Sequence, residues 1–303
     1  MFEITFLGTA ASTPSIDRGL SSLIVRAGKF RFLVDCGEGT QRQLLKSGVG
    51  YRKLSHVLLT HAHLDHILGL PGLVSTLALL DAGTDEPIKL VGSAGTLRLT
   101  RALMQGVWPG TRPMQSFSYQ EQKPGVVFTT DGFTVRSFKV QHSETDSLAY
   151  VFQSDPRRHL VPELLEEMGV PRGPERARLA RGQPLILPDG RAIQPDDVTT
   201  ELTPGTKLVV VGDCGDTTEI VAEAMGADGL VIESTFVGRD ARLARERGHL
   251  TARAAGELAR DANVKQLVLT HLSGRYSPED VLADAREVFA NVSLAHDFLT
   301  FEV

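Results

Sequence analysis

Hydrophobic and polar positions alternate in short runs over the first third of the chain and then give way to longer stretches of helical period. Residues 2–7 alternate and break at Gly8-Thr9; 20–25 and 31–35 read as two more strands, parted by Ala27-Gly28-Lys29. Residues 40–46 show an apolar face at helical spacing, 57–60 read as a strand, and 68–80 as a largely apolar, buried helix. A strand at 88–91, a helix at 96–104, and strands at 133–140 and 147–153, expected to pair antiparallel, complete the first half. Regular structure resumes at 207–211. It continues with a helix at 217–225, a strand at 229–232, helices at 252–262 and 278–290 around a strand at 266–270, and closing strands at 292–295 and 298–303. Between 155 and 198 the period is lost: the stretch is rich in Pro, Arg, Glu and Gly and predicts one short helix, at 162–168.

Strands cluster in each half with helices interspersed, and several early strands are joined too tightly for crossover helices. The expected architecture is therefore α/β: two sheets face to face with helices outside, a four-layer αβ/βα sandwich rather than a doubly wound sheet. We read residues 1–303 as a single catalytic domain with 155–198 inserted as a protruding arm. Composition fits a soluble globular protein, with 42% hydrophobic and 23% charged residues. No apolar run approaches the roughly 20 residues that span a bilayer, so no membrane association is expected. The N-terminus begins a strand without a basic leader, and Cys36 and Cys214 make no disulfide framework. A cytoplasmic location is the expectation. A net charge of −5 excludes a surface coated in basic charge but leaves room for a local basic patch.

The chemistry concentrates in Thr60-His61-Ala62-His63-Leu64-Asp65-His66, four metal-competent side chains within six residues. Alternate residues at a strand end share a face, which aims His61 and His63 together, and a turn into a helix would present Asp65 and His66 beside them. Imidazoles with a carboxylate suit zinc, or manganese and iron where oxygen ligands are added. The competing reading, helix capping by Asp65, needs only one of the four. Further candidates stand at the ends of apolar runs: His142, Asp213 and His271.

On these residues the chain resembles the metallo-β-lactamase superfamily and, within it, the RNase Z (tRNA 3′-endonuclease) family. The similar stretches include Phe6-Leu7-Gly8-Thr9, Asp35-Cys36-Gly37-Glu38-Gly39-Thr40-Gln41, Thr60 to His66, Gly69-Leu70-Pro71-Gly72-Leu73, Leu269-Thr270-His271-Leu272-Ser273-Gly274-Arg275-Tyr276 and His296-Asp297-Phe298. Within the arm, Gly169-Val170-Pro171-Arg172-Gly173-Pro174 and Leu187-Pro188-Asp189-Gly190-Arg191 resemble the family's tRNA-holding exosite.

The resemblance implies two zinc ions per subunit. His61, His63 and His142 would hold one, Asp65, His66 and His271 the other, and Asp213 would bridge them. It implies hydrolysis of precursor tRNA by attack of water on phosphorus, leaving a 3′-hydroxyl, with Asp65 orienting or deprotonating the water. His249 would act as general acid with its ring held by Glu233; Arg275, helped by Ser273, would bind phosphate. In the arm Arg172, Arg176, Arg178 and Arg181 would contact the RNA, although composition alone allows a solvated loop of mixed charge. A homodimer is implied as well.

The chain departs from the family in three places. Pro14-Ser15-Ile16-Asp17-Arg18-Gly19 lacks the usual Lys and Asn, Cys214 replaces a Thr after Asp213, and Ile232-Glu233-Ser234-Thr235 keeps the Glu but not the preceding His. The alternatives are a hydrolase of small phosphodiesters or other esters on the same fold, and a non-catalytic RNA-binding relative.

Overall fold

The computed structural model describes residues 1–79, 87–108 and 117–303. Its strands are β1 (Glu3–Gly8), β2 (Ser22–Ala27), β3 (Phe30–Val34), β4 (Leu54–Leu58), β5 (Ile88–Gly92), β6 (Phe117–Glu121), β7 (Gly125–Thr130) and β8 (Phe133–His142). They continue with β9 (Thr145–Ser154), β10 (Leu185–Ile186), β11 (Ala192–Ile193), β12 (Lys207–Val210), β13 (Gly229–Glu233), β14 (Gln266–Thr270), β15 (Val292–Leu294) and β16 (Thr300–Glu302). Among the described residues they form two seven-stranded sheets, β16-β1-β2-β3-β4-β5-β6 and β15-β14-β13-β12-β9-β8-β7, plus the small β10-β11 hairpin.

Strand periodicity builds the layers. In β13 Leu230 and Ile232 face one core and Val231 the other; in β14 Leu267 and Leu269 oppose Val268 in the same way. Val231 and Val268 meet Phe2, Ile4, Phe6, Phe32 and Tyr150 between the sheets. The opposite faces are covered by helices. Leu44, Leu70, Leu73, Leu97 and Met104 cover the first sheet, and Ile220, Ala255, Leu258 and Val281 the second. The four-layer αβ/βα sandwich is the observed architecture. Both sheets are mixed: β3 to β6 and β12 to β15 run parallel, the remainder antiparallel. Their parallel halves are buried on both faces, which is why they read as continuous apolar runs. Among the described residues no helix is long and apolar enough to cross a membrane.

Three helices start on side-chain caps, Ser93, Thr251 and Ser277, each accepting from the third residue on. The helix expected at 68–80 is observed as Leu70–Leu79, parted by a break from a short helix at Leu64–Ile67, while Leu80 lies outside the described residues. Gly69 makes the break, because a Cβ there would lie 2.0 Å from the Gly37 carbonyl oxygen. The sequence reading had no strands at β6 and β7 and no helix at Ala241–Arg247. The first two are half-polar edge segments whose alternation is weak.

The stretch after β9 is more ordered than its composition predicts. Helices Pro162–Glu167, Arg176–Ala180 and Pro195–Val198 and the β10-β11 hairpin enclose a core of Leu165, Val170, Leu179, Leu185, Leu187, Ile193 and Val198. Its two stems pair antiparallel, Arg157 with Thr203 and Leu160 with Thr199.

Candidate metal centre

The ends of β4, β8, β13 and β14, with the loop after β12, open at one edge of the sandwich. The loop after β4 is fastened to the second sheet. The Tyr150 hydroxyl donates to the Leu59 carbonyl at 2.7 Å, and the Leu148 N–H donates to the Thr60 carbonyl at 2.9 Å. Gly212, before Asp213, lets the second sheet approach this loop, since a Cβ there would meet the Thr60 hydroxyl at 2.8 Å. From here the chain projects His61 and His63 and turns into the helix bearing Asp65 and His66. That helix begins without a side-chain cap, and Asp65 Oδ2 instead accepts the Ser12 N–H at 2.9 Å. Asp65 is therefore no capping residue.

All seven sequence-predicted donors meet. His61, His63, His142 and Asp213 form one cluster and Asp65, His66 and His271 another, with ligand atoms within 4.8 Å of one another in each. Asp213 faces both. Its Oδ2 lies 3.7 Å from His61 Nε2 and 3.7 Å from His142 Nε2; its Oδ1 lies 3.3 Å from His66 Nε2 and 3.3 Å from His271 Nε2. Asp65 Oδ2 stands 3.3 Å from His271 Nε2, and His63 Nδ1 3.2 Å from His142 Nε2.

Outer hydrogen bonds settle which nitrogens face inward. His142 Nδ1 donates to the Gly248 carbonyl at 2.7 Å and His66 Nδ1 to Asp35 Oδ2 at 2.7 Å. Both rings therefore present the Nε2 lone pair to the centre. Asp35 also accepts the Thr60 N–H at 2.8 Å and the Thr60 hydroxyl at 2.7 Å.

Two observations bear on whether this arrangement fits cations. His61 Nε2, His66 Nε2 and Asp213 Oδ1 are buried without a hydrogen-bond partner, a costly condition that a metal ion relieves. Four carboxylates, Asp35, Asp65, Asp213 and Glu233, converge here, and among the described residues their salt-bridge partners are histidines alone. Burial opposes ionisation of Asp65, but the adjoining His271 and His66 rings hold its carboxyl well below the usual range. Asp213 is likewise held low against its burial by His271 and His66. A buried nest of carboxylates and inward lone pairs suits divalent ions. Metal use is the state this site is built for.

His249 lies beside the centre and forms a third group of potential donors with Asp213 and His271; its Nδ1 donates to Glu233 Oε1 at 2.8 Å and lies 3.9 Å from Asp213 Oδ2. Burial would lower its pKa, yet the Glu233 hydrogen bond and charge, with Asp213 and Asp65, raise it to about 9. Glu233 is fully buried and also accepts the Cys214 N–H at 2.9 Å. Cys214 is enclosed and its thiol pushed up by burial, so it packs as a small apolar group. Arg275 is exposed on the loop after His271, and Ser273 Oγ accepts its backbone N–H at 3.3 Å. In the 14–19 loop Arg18 points inward, donating to Thr9 Oγ1 and the Ala295 carbonyl, both at 2.7 Å.

The arm arginines are elsewhere. Arg172 pairs with Glu166 at 3.1 Å, and Arg176 is tied to the carbonyls of Pro171 and Val170 within the arm. Arg178 is exposed, and Arg181 lines a cleft of about 740 Å³ with Arg157, Arg158 and the Asp131-Gly132 turn. That turn precedes β8, whose far end is His142, so the cleft and the centre stand roughly 30 Å apart at strand rise. The structure does not bring these four arginines to the metal centre of their own chain. Sequence reasoning passed over Asp35, Thr60 and Thr235 as functional residues. The available signal was their position, each beside a predicted ligand or at a strand end.

Comparison with known proteins agrees with this geometry. A family model described as Anti-Pycsar protein Apyc1 matches residues 2–157, and one described as beta-lactamase superfamily domain matches residues 198–272. Ribonuclease Z of Bradyrhizobium diazoefficiens is 49% identical over 298 residues, 98% of each chain. Ribonuclease Z of Archaeoglobus fulgidus is 38% identical over 307 residues, covering 100% of this chain and 98% of its own. These alignments run through the arm as well as the sandwich. The solved short form of human tRNase Z superposes with a TM-score of 0.68 at 25% identity over 99% of each chain. The metallo-β-lactamase fold protein YhfI from Bacillus subtilis gives 0.71 at 19% identity over 100% of each chain, a likeness of fold alone.

Proposed function

The chain belongs to the ribonuclease Z family, and from that premise we propose that it is a zinc-dependent endoribonuclease that removes the 3′ trailer from tRNA precursors. The observation that carries the reading is Asp213, with one oxygen turned to each histidine set. His61, His63 and His142 would hold one ion, Asp65, His66 and His271 the other, with Asp213 between. Zinc, or manganese given the two carboxylate ligands, supplies Lewis-acid polarisation of the phosphodiester and acidifies a water.

The remaining roles fall to the chain. Asp65, ionised and steadied by the Ser12 N–H, orients or deprotonates the attacking water. Water attacks phosphorus, the bond to the 3′-oxygen breaks, and that oxygen takes a proton from His249, which is protonated at neutral pH and oriented by Glu233. The tRNA keeps a 3′-hydroxyl and the trailer a 5′-phosphate. Arg275 makes no salt bridge among the described residues and is free to bear a substrate phosphate. The arm, standing off from the centre, is read as the grip on the tRNA body. We take the working form to be a homodimer, as the resemblance implies, with the cytoplasmic location that the sequence reading leads us to expect.

The test is cleavage of end-labelled precursor tRNA beside a chromogenic phosphodiester, with metal content measured on the same preparation. Two zinc ions per chain, a 3′-hydroxyl product and loss of both with His63→Ala support the reading. Unchanged cleavage by His63→Ala, or hydrolysis of the small ester alone, refutes it.

A further inference from the structure

We propose that Thr235 is a positioning residue: Glu233, the carboxylate that holds His249 directly, reaches the metal ligand His271 through the Thr235 hydroxyl. The inference deepens the reading above and rests on it.

The argument is a count of protons. Glu233 Oε1 accepts from the Cys214 N–H at 2.9 Å and from His249 Nδ1 at 2.8 Å; Oε2 accepts from the Thr235 N–H at 3.2 Å and the Thr235 hydroxyl at 2.6 Å. A hydroxyl has a single proton. Its two acceptors are the fully buried Glu233 carboxylate at 2.6 Å and the neutral His271 carbonyl at 3.2 Å, and the shorter, charge-assisted contact commits the proton to Glu233. Towards His271 Nδ1, 2.9 Å away, Thr235 can then only accept. His271 must carry its proton on Nδ1, which leaves the Nε2 lone pair facing Asp65 and Asp213.

The other sheet repeats the device. Thr60 donates to Asp35 Oδ2 at 2.7 Å and lies 3.0 Å from His61 Nδ1, while the same Asp35 oxygen accepts a hydrogen bond from His66 Nδ1 directly at 2.7 Å. Each sheet thus supplies one buried carboxylate that fixes one imidazole directly and a second through a threonine hydroxyl. In the first sheet both imidazoles are ligands. In the second only His271 is, and the directly held ring is His249. The Thr235 relay therefore links the metal seat to the proton donor, whereas the Thr60 relay serves the seat alone.

The test uses the full chain labelled with ¹⁵N-histidine, in apo and zinc-loaded forms, with zinc affinity read by chelator competition. The wild type is expected to show His271 protonated on Nδ1 before zinc is added. Thr235→Val should lose that tautomer, weaken zinc by about 10- to 100-fold, the usual cost of losing an outer partner, and move the His249 resonances. Thr235→Ser, which keeps the hydroxyl, should restore all three. Thr60→Val should weaken zinc while leaving His249 unmoved. Wild-type zinc affinity in Thr235→Val, or Nε2 protonation of His271 in the wild type, overturns the relay; the second measurement stands even if the valine variant fails to fold. If the wild type binds no divalent ion, the metal-centre reading falls; if it binds and Thr235→Val binds equally well, only the relay does.

Discussion

His56 offers a test of the sandwich core that is independent of the metal centre. It sits on β4, stacked on Phe32 with ring centroids 5.1 Å apart and edge-on to Phe128 at 5.1 Å; its Nδ1 meets Ser55 Oγ at 3.0 Å and its buried Nε2 has no partner. Burial first, then Lys89, its register partner on β5, lowers its pKa from 6.5 to about 4. In the unfolded chain the ring takes a proton as pH falls through 6.5; in the folded chain it refuses one until about 4. Stability contributed by the neutral ring is thus complete above the unfolded value, declines as pH falls through this window, and levels off below it. Near pH 5 the difference amounts to about 2 kcal/mol, and near pH 7.5 to almost nothing. The perturbation is His56→Phe, which keeps an aromatic ring and removes the titrating site. Urea unfolding of apoprotein and variant at the two pH values isolates the effect, because other groups cancel in the comparison. The variant should gain about 2 kcal/mol relative to wild type on moving to the lower pH. Parallel pH dependence of the two proteins would refute the argument.

Other predictions concern the site and the arm. Replacing residues 161–198 by a two-residue turn between the paired stems at Leu160 and Thr199 removes the arm with its whole core. The sandwich should still melt cooperatively and cleave a chromogenic phosphodiester, while KM for precursor tRNA rises by about tenfold or more if the arm supplies even ~1.4 kcal/mol of binding; equal loss of both activities contradicts the exosite role. Asp35→Asn keeps shape but puts an NH₂ where one of the two accepting oxygens stood, so it cannot accept from the Thr60 N–H on one side and from the Thr60 hydroxyl and His66 on the other, and zinc affinity by chelator competition should fall about 10- to 100-fold. Gly69→Ala would press a Cβ to 2.0 Å from the Gly37 oxygen, beside the helix bearing Asp65 and His66. Thermal and urea melts should show destabilisation of about 1–3 kcal/mol or more, and a wild-type melt would mean the two loops are less constrained than their spacing requires.

Much of this protein was readable one segment at a time. Alternation in 2–7, 20–25 and 31–35 marked strands because side-chain direction along an extended chain has a period of two. Helical runs such as Pro278–Arg286 announced themselves by spacing and by Ser277-Pro278 at the start. The cluster from His61 to His66 was legible because covalent geometry alone keeps those side chains within reach of one another. Local signals failed where burial was partial, as at β6 and β7, and where a small core was assembled from single apolar residues far apart, as in the arm.

What sequence by itself determined was the inventory of donors and the strand ends that bear them. Which donors meet was decided by strand order and register, which place His271 Nε2 3.3 Å from Asp65 across 206 residues of chain. The same packing set Glu233 and Thr235 behind His249 and His271, and Asp35 and Thr60 behind His61 and His66. It also set the arm's root at the edge of the sandwich opposite the metal centre. Orientation of a ring depends on what lies behind it, and that neighbour comes from a distant strand whose position no local pattern records.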